Sequence, residues 1–94
     1  MNRQLPISSE ESQVIALKAL AFLASDGDRI ERFLGLTGLA PGDIRKAAGE
    51  PAFLAGVLDY LRTDQSLLLV FAESEGVSPS SIDAAAICLG GTPA

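Results

Sequence analysis

Histidine is absent from the sequence, and cysteine occurs once, at Cys88. Without histidine the chain lacks the side chain that most often transfers protons near neutral pH, and a Cys/His zinc site is excluded. A single cysteine also excludes an intramolecular disulfide. Cys88 lies beside Ile87 and Leu89 on a predicted apolar helix, so we expect a buried, unreactive thiol. We predict a protein that is not an enzyme and has no metal, no cofactor and no small-molecule ligand.

Long hydrophobic segments are also missing. No fully apolar run exceeds six residues, whereas a membrane span needs about 20. The first twelve residues contain one arginine with no apolar core after it, so we expect no secretory signal there. At 48% hydrophobic and 20% charged, the composition is that of an ordinary globular protein. These features predict a single cytoplasmic domain without membrane contact.

Basic residues are scarce in the second half. Residues 1–48 carry six basic and six acidic side chains, whereas residues 49–94 carry Arg62 against six acidic ones, which accounts for the net charge of −5. A surface with this balance repels phosphates at long range. Nucleic-acid binding is therefore unfavoured, and any such contact is expected in the first half.

The chain does contain an internal near-repeat. A shift of 38 residues, with no gap, aligns nine identical pairs. They are Leu20, Leu23, Asp26, Phe33, Gly38, Pro41, Ile44, Ala47 and Ala48 with Leu58, Leu61, Asp64, Phe71, Gly76, Pro79, Ile82, Ala85 and Ala86. We predict an all-α fold, a compact bundle of about six short helices built as two tandem three-helix units. The units span residues 9–49 and 51–89, with a loose arm at 1–7 and a tail at 90–94.

Helix-start and helix-stop residues support these units. Ser8 and Glu11 fit a capping box ahead of a helix at 9–24. That helix carries an apolar stripe made of Val14, Leu17, Leu20, Ala21 and Ala24. Three signals recur at matching positions in the two units: Asp26 and Asp64 as N-caps, Gly38 and Gly76 as left-handed stops, and Pro41 and Pro79 at first turns.

The second helices of the two units differ in polarity. Three matched positions are Arg29, Glu31 and Arg32 in the first unit, and Leu67, Leu69 and Val70 in the second. The helix at 65–75 is therefore apolar on all sides. Either it is central and covered within the fold, or its extra apolar side meets a partner. In the second case Leu67, Leu69 and Val70 form the interface of a non-catalytic adaptor domain that forms a homodimer or binds another protein.

The turn spacing also fits a helix-turn-helix in both units. In DNA-binding versions the second helix enters the major groove. The alternative function is therefore a DNA-binding regulator in which the helix at 41–48 presents Arg45 and Lys46. The second unit would instead present Ser80, Ser81 and Asp83, without a basic side chain. The same spacing is also explained, more simply, by the packing of two helices at a steep angle without any DNA.

Several segments resemble a known family: GLTGLAPGDIRKAA, FLAGVLDYL, and LLLVFAESEGVSP followed by LGG. They are similar to a small bacterial family of about this length that is catalogued as a domain of unknown function. The resemblance covers nearly the whole chain and implies a compact, all-helical protein of the bacterial cytoplasm. It implies no activity, cofactor or catalytic residue. An acidic pair is common in the family where this chain has Asp64 and Gln65, so the resemblance does not favour a metal there.

Overall fold

The computed structural model describes residues 7–91, which form six α-helices and contain no strand. The helices are α1 (Ser9–Ala24), α2 (Gly27–Thr37), α3 (Ile44–Ala47), α4 (Pro51–Arg62), α5 (Gln65–Glu75) and α6 (Pro79–Cys88), with a turn of 3-10 helix at Pro41–Asp43 before α3. The predicted all-α bundle is confirmed. The predicted arm at 1–7 and tail at 90–94 fall mostly outside the described range.

The predicted N-caps form in the structure. The Glu11 backbone N–H donates to Ser8 Oγ at 3.0 Å, and the Glu11 carboxylate accepts from the Ser8 hydroxyl at 3.1 Å. Asp26 accepts from the backbone N–H groups at the start of α2. Asp64 accepts from the Leu67 N–H at 3.1 Å. Each cap satisfies backbone donors that have no partner within the helix, which fixes where α1, α2 and α5 begin.

Two glycines end α2 and α5 at matching positions. Gly38 has φ +76° and Gly76 has φ +65°, both left-handed. Their N–H groups donate to Leu34 O and Ala72 O, respectively. Because a side chain is strained in this conformation, glycine allows both chain reversals. The prediction of left-handed stops is confirmed.

Helices α1, α4 and α6 pack on one another and form the centre of the bundle. Helix α2 packs against α1, while α5 packs on α4 and α6 and touches α1. Fully buried side chains of the centre include Leu23, Val57, Leu58, Leu61, Ile82 and Ala85. The central place therefore belongs to α6, and the apolar helix α5 is peripheral.

Three aromatic contacts cross between the halves of the chain. One joins Phe33 of α2 to Phe53 of α4, at 5.9 Å between ring centroids, and the other two form a reciprocal pair. Phe22 of α1 lies 5.4 Å from Phe71 of α5, and Tyr60 of α4 lies 5.2 Å from Phe33 of α2, measured between ring centroids. The pairs are reciprocal, because a shift of 38 residues places Phe22 on Tyr60 and Phe33 on Phe71. Each such contact contributes about 0.5–1.5 kcal/mol beyond burial. They hold α2 and α5 each against the opposite half.

The predicted repeat of two equivalent three-helix units is not confirmed. The limits of α2 and α5 match at the offset of 38, but the third helices differ. Helix α6 has 10 residues and lies in the centre, whereas Pro41–Asp43 and α3 give one short turn each. Ile44 of α3 is only partly buried, and α3 packs closely on neither α1 nor α2. The halves share secondary structure without sharing the packing of their third helix.

The apolar stripe predicted on α1 does not face the core. Of its members only Leu20 is buried, while Val14 is 49% and Leu17 44% exposed, and Ala21 and Ala24 are exposed as well. The buried side carries Ser12, Ala16, Ala19, Leu20 and Leu23. Apolar residues surround most of α1, so the helical period alone does not select the buried side.

The chain after α6 closes against α4 at Gly91. The Gly91 N–H donates to Ala86 O at 2.7 Å. A Cβ atom at position 91 would lie 2.7 Å from that carbonyl oxygen and 3.0 Å from Asp59 Oδ1. Because the first of these atoms belongs to the backbone of α6, it cannot rotate away. The position therefore accepts only glycine without rearrangement.

We expect Gly91→Ala to lower the free energy of unfolding by about 1–3 kcal/mol, as in other overpacked sites. Urea denaturation followed by circular dichroism measures the change. The control is Gly56→Ala, at an exposed position inside α4 where a Cβ meets nothing within 4 Å. That variant should be more stable by about 0.5–1 kcal/mol, since alanine favours the helix. Equal effects of the two substitutions would contradict the steric explanation.

Candidate functional site

Helix α5 presents apolar side chains to solvent. Leu69 is 46% and Val70 48% exposed, while Leu68 and Phe71 point inward. Leu67 is partly buried and packs against the core. Of the three predicted interface residues, the structure therefore places two on the outside of α5 and one against the bundle.

We define the α5 outer face as Ser66, Leu69, Val70 and Glu73, all of which are exposed. Glu73 is its one charged member, and within residues 7–91 it makes no ion pair. Burying the exposed halves of Leu69 and Val70 would contribute about 1 kcal/mol each. This apolar area stabilises an association but is too small to form a tight one alone.

Helix α1 carries a second exposed apolar surface. Most of its residues belong to the apolar stripe that the sequence predicts on α1. We define the α1 outer face as Val14, Leu17, Lys18, Ala21 and Ala24, all of which are exposed. Lys18 is the one charged residue between positions 12 and 25. That shortage of charge around a whole helix was the sequence signal for a second apolar surface.

An ion-pair cluster joins α4 to α6. Arg62 Nη1 lies 2.8 Å from Asp59 Oδ1, and Arg62 Nε lies 3.0 Å from Asp83 Oδ1. The Arg62 side chain is only 14% exposed. The three residues line a groove of about 440 Å³ together with Thr63, Gln65, Leu68 and Pro79. Two carboxylates of the same chain bind the guanidinium, so its evident role is to fix α6 on α4.

The sequence did not predict this cluster, and Asp83 entered only as one of the non-basic residues that a helix-turn-helix in the second unit would present. The available signal was that Arg62 is the one basic side chain of residues 49–94. Its contact with Asp83 depends on how α6 packs against α4, and periodicity does not specify that packing. The structure makes Asp83 an ion-pair partner.

We expect Arg62→Met to lower the free energy of unfolding by about 1–2 kcal/mol. Methionine keeps an apolar stem but leaves the two aspartates close together without the cation. Thermal and urea unfolding measure the loss. The control, Arg32→Met on the exposed side of α2, should change stability by less than about 0.5 kcal/mol. A loss of equal size in both variants would mean that the ion pairs do not stabilise the fold.

The predicted nucleic-acid residues Arg45 and Lys46 are both exposed on α3. The predicted helix at 41–48 is a 3-10 turn followed by a single α-helical turn. A major-groove helix contacts successive bases from several positions along its length. The single turn of α3, with two basic residues, presents a much smaller surface to DNA than such a helix does.

The expectation of a buried Cys88 is wrong, because its side chain is exposed. The buried side of α6 is formed by Ile82, Ala85, Ala86 and Leu89. Cys88 lies on the other side of the helix, where its Sγ is 3.9 Å from Ile7 O. The run Ala84–Leu89 is entirely apolar, so the helical period alone does not show which of its sides is buried, as on α1.

Neither a membrane-spanning helix nor a cluster of metal-binding side chains occurs between positions 7 and 91. No helix there is long and apolar enough to cross a bilayer. Nor does that part of the chain bring together three or more acidic or cysteine side chains in an arrangement that could hold a metal ion. The surface features that stand out are therefore the apolar outer faces of α1 and α5 and the groove beside Arg62.

Comparison with known proteins gives one finding. Residues 9–92 match the model of a family described as "Protein of unknown function (DUF3572)". No curated protein and no solved structure is significantly similar to the chain. The match includes all six helices, and it confirms the resemblance to a small family of unknown function.

Proposed function

This chain belongs to the DUF3572 family, and we propose that it is a non-catalytic protein-interaction domain that self-associates through the α5 outer face. The observation that carries the proposal is the half exposure of Leu69 and Val70 in the middle of α5. Between Asp64 and Glu73 this helix has no charged side chain. Contiguous exposed apolar residues of this kind mark association sites.

Two properties of α5 support this choice. The contact of Phe71 with Phe22 holds the helix in one orientation, so Leu69 and Val70 face outward. A second copy of the chain is the commonest partner for such a surface in soluble proteins. The apolar area is small, and specific interfaces bury about 1,200–2,000 Å² in total. We therefore propose a weak association that depends on protein concentration.

The proposed setting is the bacterial cytoplasm. The composition and the resemblance to a bacterial family support it. The proposal of a non-catalytic role rests on the sequence, which contains no histidine, the side chain most often used for general acid–base catalysis.

We expect Leu69→Glu to remain folded and to be monomeric at concentrations at which the unmodified protein associates. A glutamate at this half-exposed position stays in water in the monomer, but burying its charge in an interface is unfavourable. Light scattering coupled to size-exclusion chromatography measures the mass, and circular dichroism verifies the helices.

The matched control for that variant is Leu36→Glu. Leu36 lies on α2 and is 71% exposed, so the substitution makes the same chemical change on another surface. Association that persists in Leu36→Glu but not in Leu69→Glu supports the α5 interface. Unfolding of Leu69→Glu, or an unchanged mass, argues against it.

The alternative proposal is a helix-turn-helix regulator that binds DNA through Arg45 and Lys46. The exposure of both side chains favours it. The single turn of α3 and the nearby Asp43 make it the weaker proposal.

If that alternative holds, replacing Arg45 and Lys46 by alanine together should weaken retention of the protein on DNA at low salt, because phosphate contacts dominate such binding. Retention on a DNA affinity column at increasing salt measures this. Failure of the unmodified protein to bind at the lowest salt would exclude the model.

A further inference from the structure

We infer that the α5 outer face of one molecule packs on the α1 outer face of a second copy of the chain. This inference rests on the proposed self-association and identifies the surface that receives α5. The contact is then heterologous, because the α5 outer face of one molecule meets the α1 outer face of the other. Two α5 helices do not meet.

On its outer face, α1 has no packed helix that corresponds to α6 on the matching side of α4. A shift of 38 residues aligns Leu17, Ala21 and Ala24 with Ala55, Asp59 and Arg62. On α4 these three positions are covered, since Ala55 is 3% exposed and Arg62 is bound by Asp83 of α6, whereas Ala52 and Gly56, which match Val14 and Lys18, are exposed. On α1 no third helix packs there closely, because α3 is a single turn. Leu17, Ala21 and Ala24 are thus exposed at positions whose counterparts on α4 are buried or partly buried.

The α1 outer face and the α5 outer face carry opposite charges. Lys18 is the single charge of the α1 outer face, and Glu73 is the single charge of the α5 outer face. Within the described chain neither of them makes an ion pair. An α1–α5 contact brings opposite charges together, whereas an α5–α5 contact joins two faces whose only charges are negative.

The α1 outer face and the α5 outer face also expose large apolar side chains to a similar extent. Val14 and Leu17 are 49% and 44% exposed on α1, and Leu69 and Val70 are 46% and 48% exposed on α5. Alanines flank the large residues of α1, since Ala21 and Ala24 are exposed on the same side. Small side chains let a second helix approach closely, so the larger side chains of α5 have room to pack between them.

The test is a charge-reversal cycle measured by sedimentation equilibrium. Lys18→Glu and Glu73→Lys each replace an attraction by a repulsion, and each should raise the Kd of self-association about three- to tenfold. The double variant Lys18→Glu with Glu73→Lys restores opposite charges and should return Kd to within about twofold of the unmodified value. Lys18 and Glu73 are both exposed, so circular dichroism should show unchanged helix content in all three variants.

A further pair of variants addresses the apolar part of the contact. Leu17→Glu should abolish association as Leu69→Glu does, while Leu36→Glu should leave it unchanged. If Leu69→Glu abolishes association but Leu17→Glu does not, or if the double reversal fails to restore Kd, α1 is not the receiving surface and the proposed function stands. If the unmodified protein is monomeric throughout the dilution series, or Leu69→Glu leaves Kd unchanged, both proposals fail.

Discussion

The reciprocal aromatic contacts set how the two short second helices, α2 and α5, pack on the bundle. Phe22 holds Phe71, and Tyr60 holds Phe33, so each short second helix is attached to the opposite half of the chain. This attachment fixes the rotation of α5 about its axis. Because Phe71 points to α1, Leu69 and Val70 lie on the opposite side of α5, where there is no core for them to pack against. The exposure of Leu69 and Val70 therefore follows from the packing of Phe71 in the interior.

The halves diverge where their third helices should be equivalent. Helix α6 packs between α1 and α4, and the ion pair between Arg62 and Asp83 fixes it on α4. The corresponding segment of the first half, Pro41–Ala47, contributes Ile44 to the edge of the core and little else. One central helix covers part of both neighbours but leaves one side of α1 open. The bundle thus presents two apolar outer faces, one on α1 and one on α5, on opposite halves of the sequence.

Local chemistry made the helix limits predictable, because caps such as Asp64 and stops such as Gly76 depend on a few adjacent residues. The buried side of each helix was predictable only where polar residues mark the other side, as on α2. The segments of α1, α5 and α6 around Val14, Leu69 and Cys88 are rich in apolar residues on all sides, so the exposure of these three residues depended on packing. The same holds for the Arg62 cluster, whose partners come from two helices.

The contact between Tyr60 and Phe33 has a spectroscopic consequence. The chain has one tyrosine and no tryptophan, so its intrinsic fluorescence comes from Tyr60 alone. That ring touches Phe33 of α2 and is partly buried where α2 meets α4. Because detachment of α2 would remove Phe33 from that ring and expose it further, we expect Tyr60 emission to change, which gives an optical signal for the junction of the two halves without any introduced label.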